Sequence, residues 1–264
     1  MEEIWTPDTV LTHLAHPPEP YTSSPIPFFH LLERLKTTRR EGWRQVKIPR
    51  GESISDHMYR MAIMVMSAPP SLASVLDIPR CISMALVHDM AECLVGDITP
   101  RNIDIEKTEK VRRELSAMQY IVDTLLGRVP GGSGIGGAIM ELFQEYEENR
   151  TLEAKFVHDV DKVEMLCQIL EYERRHKRRL DEFYHVVGEI VLPETRMWAG
   201  VVVHEREEYL RREQRSRRRG ARNALEPVPD PGEVPLEDLE LLEVSGKAVR
   251  NSTILDVRSH WLSP

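Results

Sequence analysis

Cysteine is scarce in this chain, and its three copies, Cys81, Cys93 and Cys167, form no CxxC pair. An odd number without paired spacing argues against a disulfide framework and against thiolate-bound structural zinc. All three lie in apolar helical stretches and read as reduced core thiols of an intracellular protein. Long apolar runs are missing too, since none approaches the roughly 18 residues of a membrane span. The opening "MEEIWTPDTV" is acidic and lacks the basic start and apolar run of a secretion signal. The expectation is a cytoplasmic protein, with the nucleus left open. Positive charge is in deficit: a net charge of −8 argues against a general nucleic-acid binder, because phosphate contacts need a basic face. A small phosphorylated substrate needs only a local positive pocket and stays compatible. Strand-like alternation is nearly missing, and no internal repeat is visible.

What remains is an all-α chain of 264 residues, long enough to bury a core. Residues 1–26, with "HPPEPYTSSPIP", read as an irregular N-terminal arm. Helical patterns then run from near Pro27, from Glu52 to Met66, from Pro79 to Leu94, from Ile105 to Leu126, from 138 to 148, from Thr151 to Arg178, and from 194 to 215. Ile54, Met58, Met61 and Val65 recur at helical spacing while most of the other face is apolar, which marks a central helix. "GRVPGGSGIGGA" lacks the Lys-Ser/Thr of a phosphate-binding loop and reads as a flexible connection. Residues 27–215 therefore form the expected domain. Residues 216–264, first basic ("RSRRRGAR") and then acidic and Pro-rich, are expected to be a flexible tail.

Chemistry concentrates in "ALVHDMAECLVGDITP", residues 85–100, where His88 and Asp89 adjoin inside an apolar stretch and Glu92 and Asp97 follow. Buried charge is costly unless paired or bound to a metal. Imidazole and carboxylate together suit Zn, Mn, Fe or Co. Two further ligand types sit on other helices predicted to be buried: His57, 31 residues before His88, and Asp161, 72 residues after Asp89. In "HDVDKVEM" either Asp159 or Asp161 could serve, with His158 as a competing donor. Singly, a helical His is more often a packed core residue, and an Asp more often half of a salt bridge. Jointly, three buried helices each carrying a metal-capable side chain point to a site. Glu92 lies one turn from both His88 and Asp89, where it could handle a proton. Asp97 alone reads as a turn residue bonding its own backbone.

The series "ESISDHMYRMA", "ALVHDMAECLVGDITP" and "DKVEM", in this order, resembles the HD-domain metal-dependent phosphohydrolases, over roughly residues 27–200. Within them it is most similar to the HD-domain 5′-deoxynucleotidases of the small HD-containing type. The resemblance implies an HD-type helical bundle with His57, His88, Asp89 and Asp161 as metal ligands. Asp161 is favoured over Asp159 because Lys162 and Glu164 follow it as in the family pattern. It further implies Glu92 as the catalytic glutamate, Asp97 as a second acid near the substrate, and Arg40 and Trp43, from "RREGW", as contacts to phosphate and sugar.

The implied reaction is hydrolysis of 2′-deoxyribonucleoside 5′-monophosphates to nucleosides and phosphate with one divalent ion, be it Mn, Co, Fe, Zn or Mg. The substrate's negative charge would meet "KTTRREGWRQVK", which places Lys36, Arg39, Arg40, Arg44 and Lys47 around Trp43. A homodimer, without membrane or stable nucleic-acid partner, completes the expectation. The alternatives are another HD activity, on cyclic nucleotides, guanosine polyphosphates or nucleoside triphosphates, and a non-catalytic nucleotide-binding module.

Overall fold

The computed structural model describes residues 4–99 and 105–225. The chain divides into two units, Met1–Arg211 and Arg212–Pro264, and every residue of the candidate site lies in the first. Most of the expected tail, from residue 226 onward, lies outside the described residues.

The described residues form helices α1 (Pro7–Leu11), α2 (Ile26–Thr37), α3 (Glu41–Gln45), α4 (Ile54–Met66), α5 (Pro70–Ala73), α6 (Ile78–Val87), α7 (Glu92–Val95), α8 (Lys107–Gln119), α9 (Gly132–Glu148), α10 (Leu152–His176) and α11 (Pro193–Leu225). A π-helical run, Tyr120–Leu126, extends α8, and a 3-10 run, Asp181–Glu189, links α10 to α11. Among these residues the only β-type pairing is an isolated bridge between Arg39 and Ser53. None of the helices is long and apolar enough to cross a membrane.

Local chemistry sets the helix starts. Ser53 accepts from the Asp56 N–H at 3.1 Å while the Asp56 carboxylate accepts from the Ser53 N–H at 2.8 Å, closing a capping box on α4. Asp77 caps α6 and Thr151 caps α10 through the N–H of the third residue onward. Helix α4 packs between α6 and α10. Its Ile54, Met61 and Val65 are fully buried, as the apolar spacing predicts.

Three local expectations change. The arm at 1–26 is not wholly irregular: α1 forms within it, packs on α7 and buries Leu11 in the core cluster that Phe28, Leu31 and Leu35 of α2 also join. The glycine stretch is a connector only over residues 127–131; from Gly132 onward it forms the first turns of α9. A Cβ on Gly136 would stand 2.8 Å from Val122 Cγ1, so these glycines let α9 lie against the π-helical run. The helix expected over 79–94 breaks at His88. Tight turns, with Met90 N–H on Val87 O and Glu92 N–H on Asp89 O, separate α6 from α7. The His-Asp pair thus stands at a helix end, with His88 the C-cap of α6.

Candidate metal centre and catalytic cavity

Three elements deliver the four predicted ligands to one place. Helix α4 contributes His57, the α6–α7 turn His88 and Asp89, and α10 Asp161. His57 Nε2 is 3.1 Å from Asp161 Oδ1 and 4.0 Å from Asp89 Oδ2, and His88 Nε2 is 3.2 Å from Asp89 Oδ2. Donor atoms of His57, His88 and Asp161 all fall within 4.8 Å of one another. An ion about 2.1 Å from each donor would separate neighbouring donors by ~3.0–3.4 Å, so the spacing fits a divalent ion. The chemistry fits as well. His57 is fully buried, yet its Nε2 has no hydrogen-bonding partner and faces two carboxylates.

Support for the histidines is explicit. His57 Nδ1 lies 2.6 Å from Glu164 Oε2, and the other Glu164 oxygen accepts from Arg60 Nε at 2.7 Å. This carboxylate holds the proton on Nδ1 and turns Nε2 toward the donors. A second His-carboxylate group, Glu52–His57–Glu164, shares His57 and is part of this support. His88 donates through Nδ1 to the Ala85 carbonyl at 3.0 Å, which frees its Nε2 in the same way. Burial and Arg40 push the His57 pKa down, but Glu164 and Asp161 outweigh them and lift it to about 10. Burial also raises Asp161, yet His57, Arg40 and His88 win and hold it well below the usual carboxylate range. A site so rich in carboxylate charge favours a cation in its middle.

Asp159 and Asp161, equal candidates by residue type, diverge completely. The fully buried Asp159 accepts from Val191 N–H, Leu192 N–H and Thr195 Oγ1 at 2.9, 2.7 and 2.6 Å. It ties α10 to the start of α11, away from the donors. His158 stacks on Tyr146 at 3.9 Å and donates through Nε2 to the Tyr146 carbonyl. Tyr146 in turn donates to Asp161 Oδ2 at 3.2 Å.

The centre opens on a cavity of about 490 Å³ that includes Arg40, Glu92, Asp97, Lys110 and Lys162 in its wall. Glu92 is buried with Oε2 unpartnered. Burial, then Asp89 and Asp97, lift its pKa well above the ordinary value. Asp97 accepts from the Glu41 N–H at 2.6 Å, so it bonds the start of α3 and not its own turn. Burial raises its pKa despite Arg40 and that N–H. Arg40 Nη1 pairs with Asp89 Oδ2 at 3.0 Å.

The two residues expected on the substrate side, Arg40 and Trp43, both stand in the wall of this cavity. Trp43 offers no open ring face: it is 3% exposed, wedged by Tyr172 and Phe183 at 5.2 Å each, with its N–H on Glu52 at 2.9 Å. It gives the cavity an apolar edge only. Of the five cations around it, only Arg40 lines the cavity, while Arg44 turns outward to Glu41. The other wall cations, Lys110 and Lys162, come from α8 and α10; nothing in the local sequence singles out Lys110, and Lys162 stands out only as the residue that follows Asp161. Tyr146 was equally silent, whereas Glu164 carried a signal in its one-turn spacing from Asp161.

A family profile described as the HD domain matches residues 32–196, more than half of the chain. The chain belongs to the HD-domain family. Among curated relatives, "5′-deoxynucleotidase hdd1" of Schizosaccharomyces pombe is 44% identical over 188 residues, 70% of this chain and 91% of that protein. "5′-deoxynucleotidase YGK1" of Saccharomyces cerevisiae is 36% identical across 78% of this chain and 95% of its own. The solved structure of an HD domain-containing protein YGK1 superposes with a TM-score of 0.55 at 27% identity, covering 78% of this chain and 99% of that one. A conserved hypothetical protein from Pyrococcus furiosus gives 0.57 at 25% identity, over 69% and 99% respectively.

Proposed function

We propose that this HD-domain protein hydrolyses 2′-deoxyribonucleoside 5′-monophosphates to deoxynucleosides and phosphate, with a divalent ion held by His57, His88, Asp89 and Asp161. The observation that carries the reading is the convergence of these four side chains, with His57 Nε2 unpartnered, on a cavity also walled by Glu92 and Arg40. The substrate class is supported by relatives named 5′-deoxynucleotidase at 36–44% identity over 70–78% of this chain.

A divalent ion in this centre supplies a Lewis acid that makes water more acidic and offsets phosphoryl charge. The remaining work falls to the protein. Arg40, always charged, keeps donors beyond its bond to Asp89 for phosphate oxygens. Burial beside Asp89 and Asp97 raises the Glu92 pKa, which suits it to hold and pass a proton. It hands that proton to the departing 5′-oxygen as the P–O bond breaks, and recovers one from the attacking water. Asp97 has one oxygen engaged by Glu41 N–H and the other available for a sugar hydroxyl. Trp43 closes the wall behind Arg40 and excludes water there. A homodimer and an intracellular setting belong to the same reading, the latter supported by the buried free thiols of Cys81 and Cys93.

A panel of deoxyadenosine and adenosine 5′-monophosphates, 3′,5′-cyclic AMP and deoxyadenosine triphosphate, assayed with the Mn- or Co-loaded protein, tests the proposal. The deoxy monophosphate is expected to be cleaved at least tenfold faster than the others. Preference for the cyclic or triphosphate substrate would replace this reading with another HD activity, and equal cleavage of the ribo form would remove the deoxy specificity.

A further inference from the structure

A second cavity, about 540 Å³, lies between α4 and α10 beneath the loop that joins α3 to α4, and it shares no wall residue with the catalytic cavity. Its wall carries four arginines, Arg39, Arg50, Arg60 and Arg175, against three carboxylates, Glu52, Asp56 and Glu171. The carboxylates are all engaged by the protein. Asp56 closes the α4 capping box, Glu171 takes Arg60 Nη1 at 2.9 and 3.0 Å, and Glu52 accepts from the Trp43 N–H.

The arginines are less fully engaged. Arg60 is taken up by Glu164, Gln168 and Glu171. Arg39 donates one N–H to the Gly51 carbonyl and stands 3.8 Å from Asp56. Arg175 leans over the Tyr172 ring at 5.8 Å, and among the described residues neither it nor Arg50 has an ion pair with a carboxylate. Arg50 also holds a left-handed backbone, φ 53°, which non-glycine residues seldom adopt. The next residue, Gly51, is pinned beneath it: a Cβ there would stand 3.0 Å from Trp43 Cβ. The loop is thus held in a rare conformation that displays Arg50 at the cavity. Beside these cations Tyr59, 67% exposed, and Ile63, 46% exposed, offer an aromatic face and an apolar edge.

We propose that this cavity is a second, non-catalytic binding site for a nucleotide polyphosphate. Arg39, Arg50 and Arg175 would take the phosphates, and the base would lie on Tyr59. The forked donors of three arginines suit clustered phosphate oxygens, an open aromatic face suits a planar base, and the volume lies within the range of small-ligand sites.

Photolabelling of the metal-loaded protein with 8-azido-dATP, followed by peptide mapping, tests this. Label is expected on residues 51–63, and inorganic tripolyphosphate, but not adenosine, is expected to displace it. The Arg50→Asn/Arg175→Gln double variant should lose at least tenfold of that labelling while still hydrolysing deoxyadenosine monophosphate. Asparagine is chosen because it tolerates the left-handed backbone. Should the double variant fail to fold, Arg175→Gln alone, on the exposed side of α10, should lose about threefold. Label confined to the catalytic cavity, labelling unchanged in the variants, or displacement by adenosine alone would each overturn the proposal. A protein that took label here yet hydrolysed no monophosphate would sink the proposed reaction and leave this site standing.

Discussion

Glu164 is the residue through which the metal centre can be weakened without removing a ligand. It is fully buried, with one oxygen 2.6 Å from His57 Nδ1 and the other 2.7 Å from Arg60 Nε. Glu164→Gln keeps the shape but removes the charge, and its amide N–H₂ must face one of two donors. A hydrogen bond to a charged group is worth about 1.5–3 kcal/mol. That range agrees with the roughly 10- to 100-fold loss of metal affinity expected when a carboxylate behind a ligating histidine is lost. Competition against a chromophoric chelator, using Mn or Co, measures the affinity directly. The expected result is a 10- to 100-fold weaker binding constant, an unchanged circular dichroism spectrum, and recovery of most turnover once the metal is saturating. Unchanged affinity would refute the idea that Glu164 orients His57. Lost turnover at full occupancy would show that Glu164 acts in the chemistry itself.

Three further outcomes follow from the geometry. Asp159→Ala strips three donors of a buried acceptor and should cost about 3–5 kcal/mol, lowering the thermal midpoint by roughly 10 °C while leaving metal stoichiometry intact; loss of metal with stability preserved would make Asp159 the ligand. Glu92→Gln should retain metal but lower kcat by about 10²–10⁴-fold, read from steady-state phosphate release, and near-normal kcat would remove Glu92 from proton transfer. Burial lifts Glu114 to about 7 against the opposing pull of Lys110, so its folded pKa exceeds the unfolded one and its contribution to stability falls as pH rises from about 4.5 to 7. Glu114→Gln should therefore match the parent near pH 4.5 and exceed it by about 1–3 kcal/mol at pH 8 in thermal unfolding, and a variant no more stable at pH 8 would contradict this.

Legibility in the sequence tracked the range of the interaction. Helix α4 was readable because its apolar spacing and its Ser53 cap are local. The candidate ligand positions drew notice because buried ionisable groups stand out against apolar neighbours. Their convergence is a tertiary fact: His57, Asp89 and Asp161 lie on separate elements, and only packing brings their donors within 4 Å. Asp159 and Asp161 share residue type and helix, and only the start of α11 tells them apart. The glycines before α9 misled because glycine favours loops locally, whereas Gly136 answers a close approach to Val122. The surroundings of Trp43 were likewise out of local reach. Aromatics beside cations suggest a binding surface, but Tyr172 and Phe183, distant in sequence, cover its ring.

The most direct test of the account is phosphate release from deoxyadenosine 5′-monophosphate after chelation and graded return of Mn or Co, with Asp161→Ala alongside. Activity that disappears on chelation, returns in proportion to bound metal at about one ion per chain, and is lost with the metal in Asp161→Ala is the predicted result. Full activity in the chelated protein, or in Asp161→Ala, would contradict it.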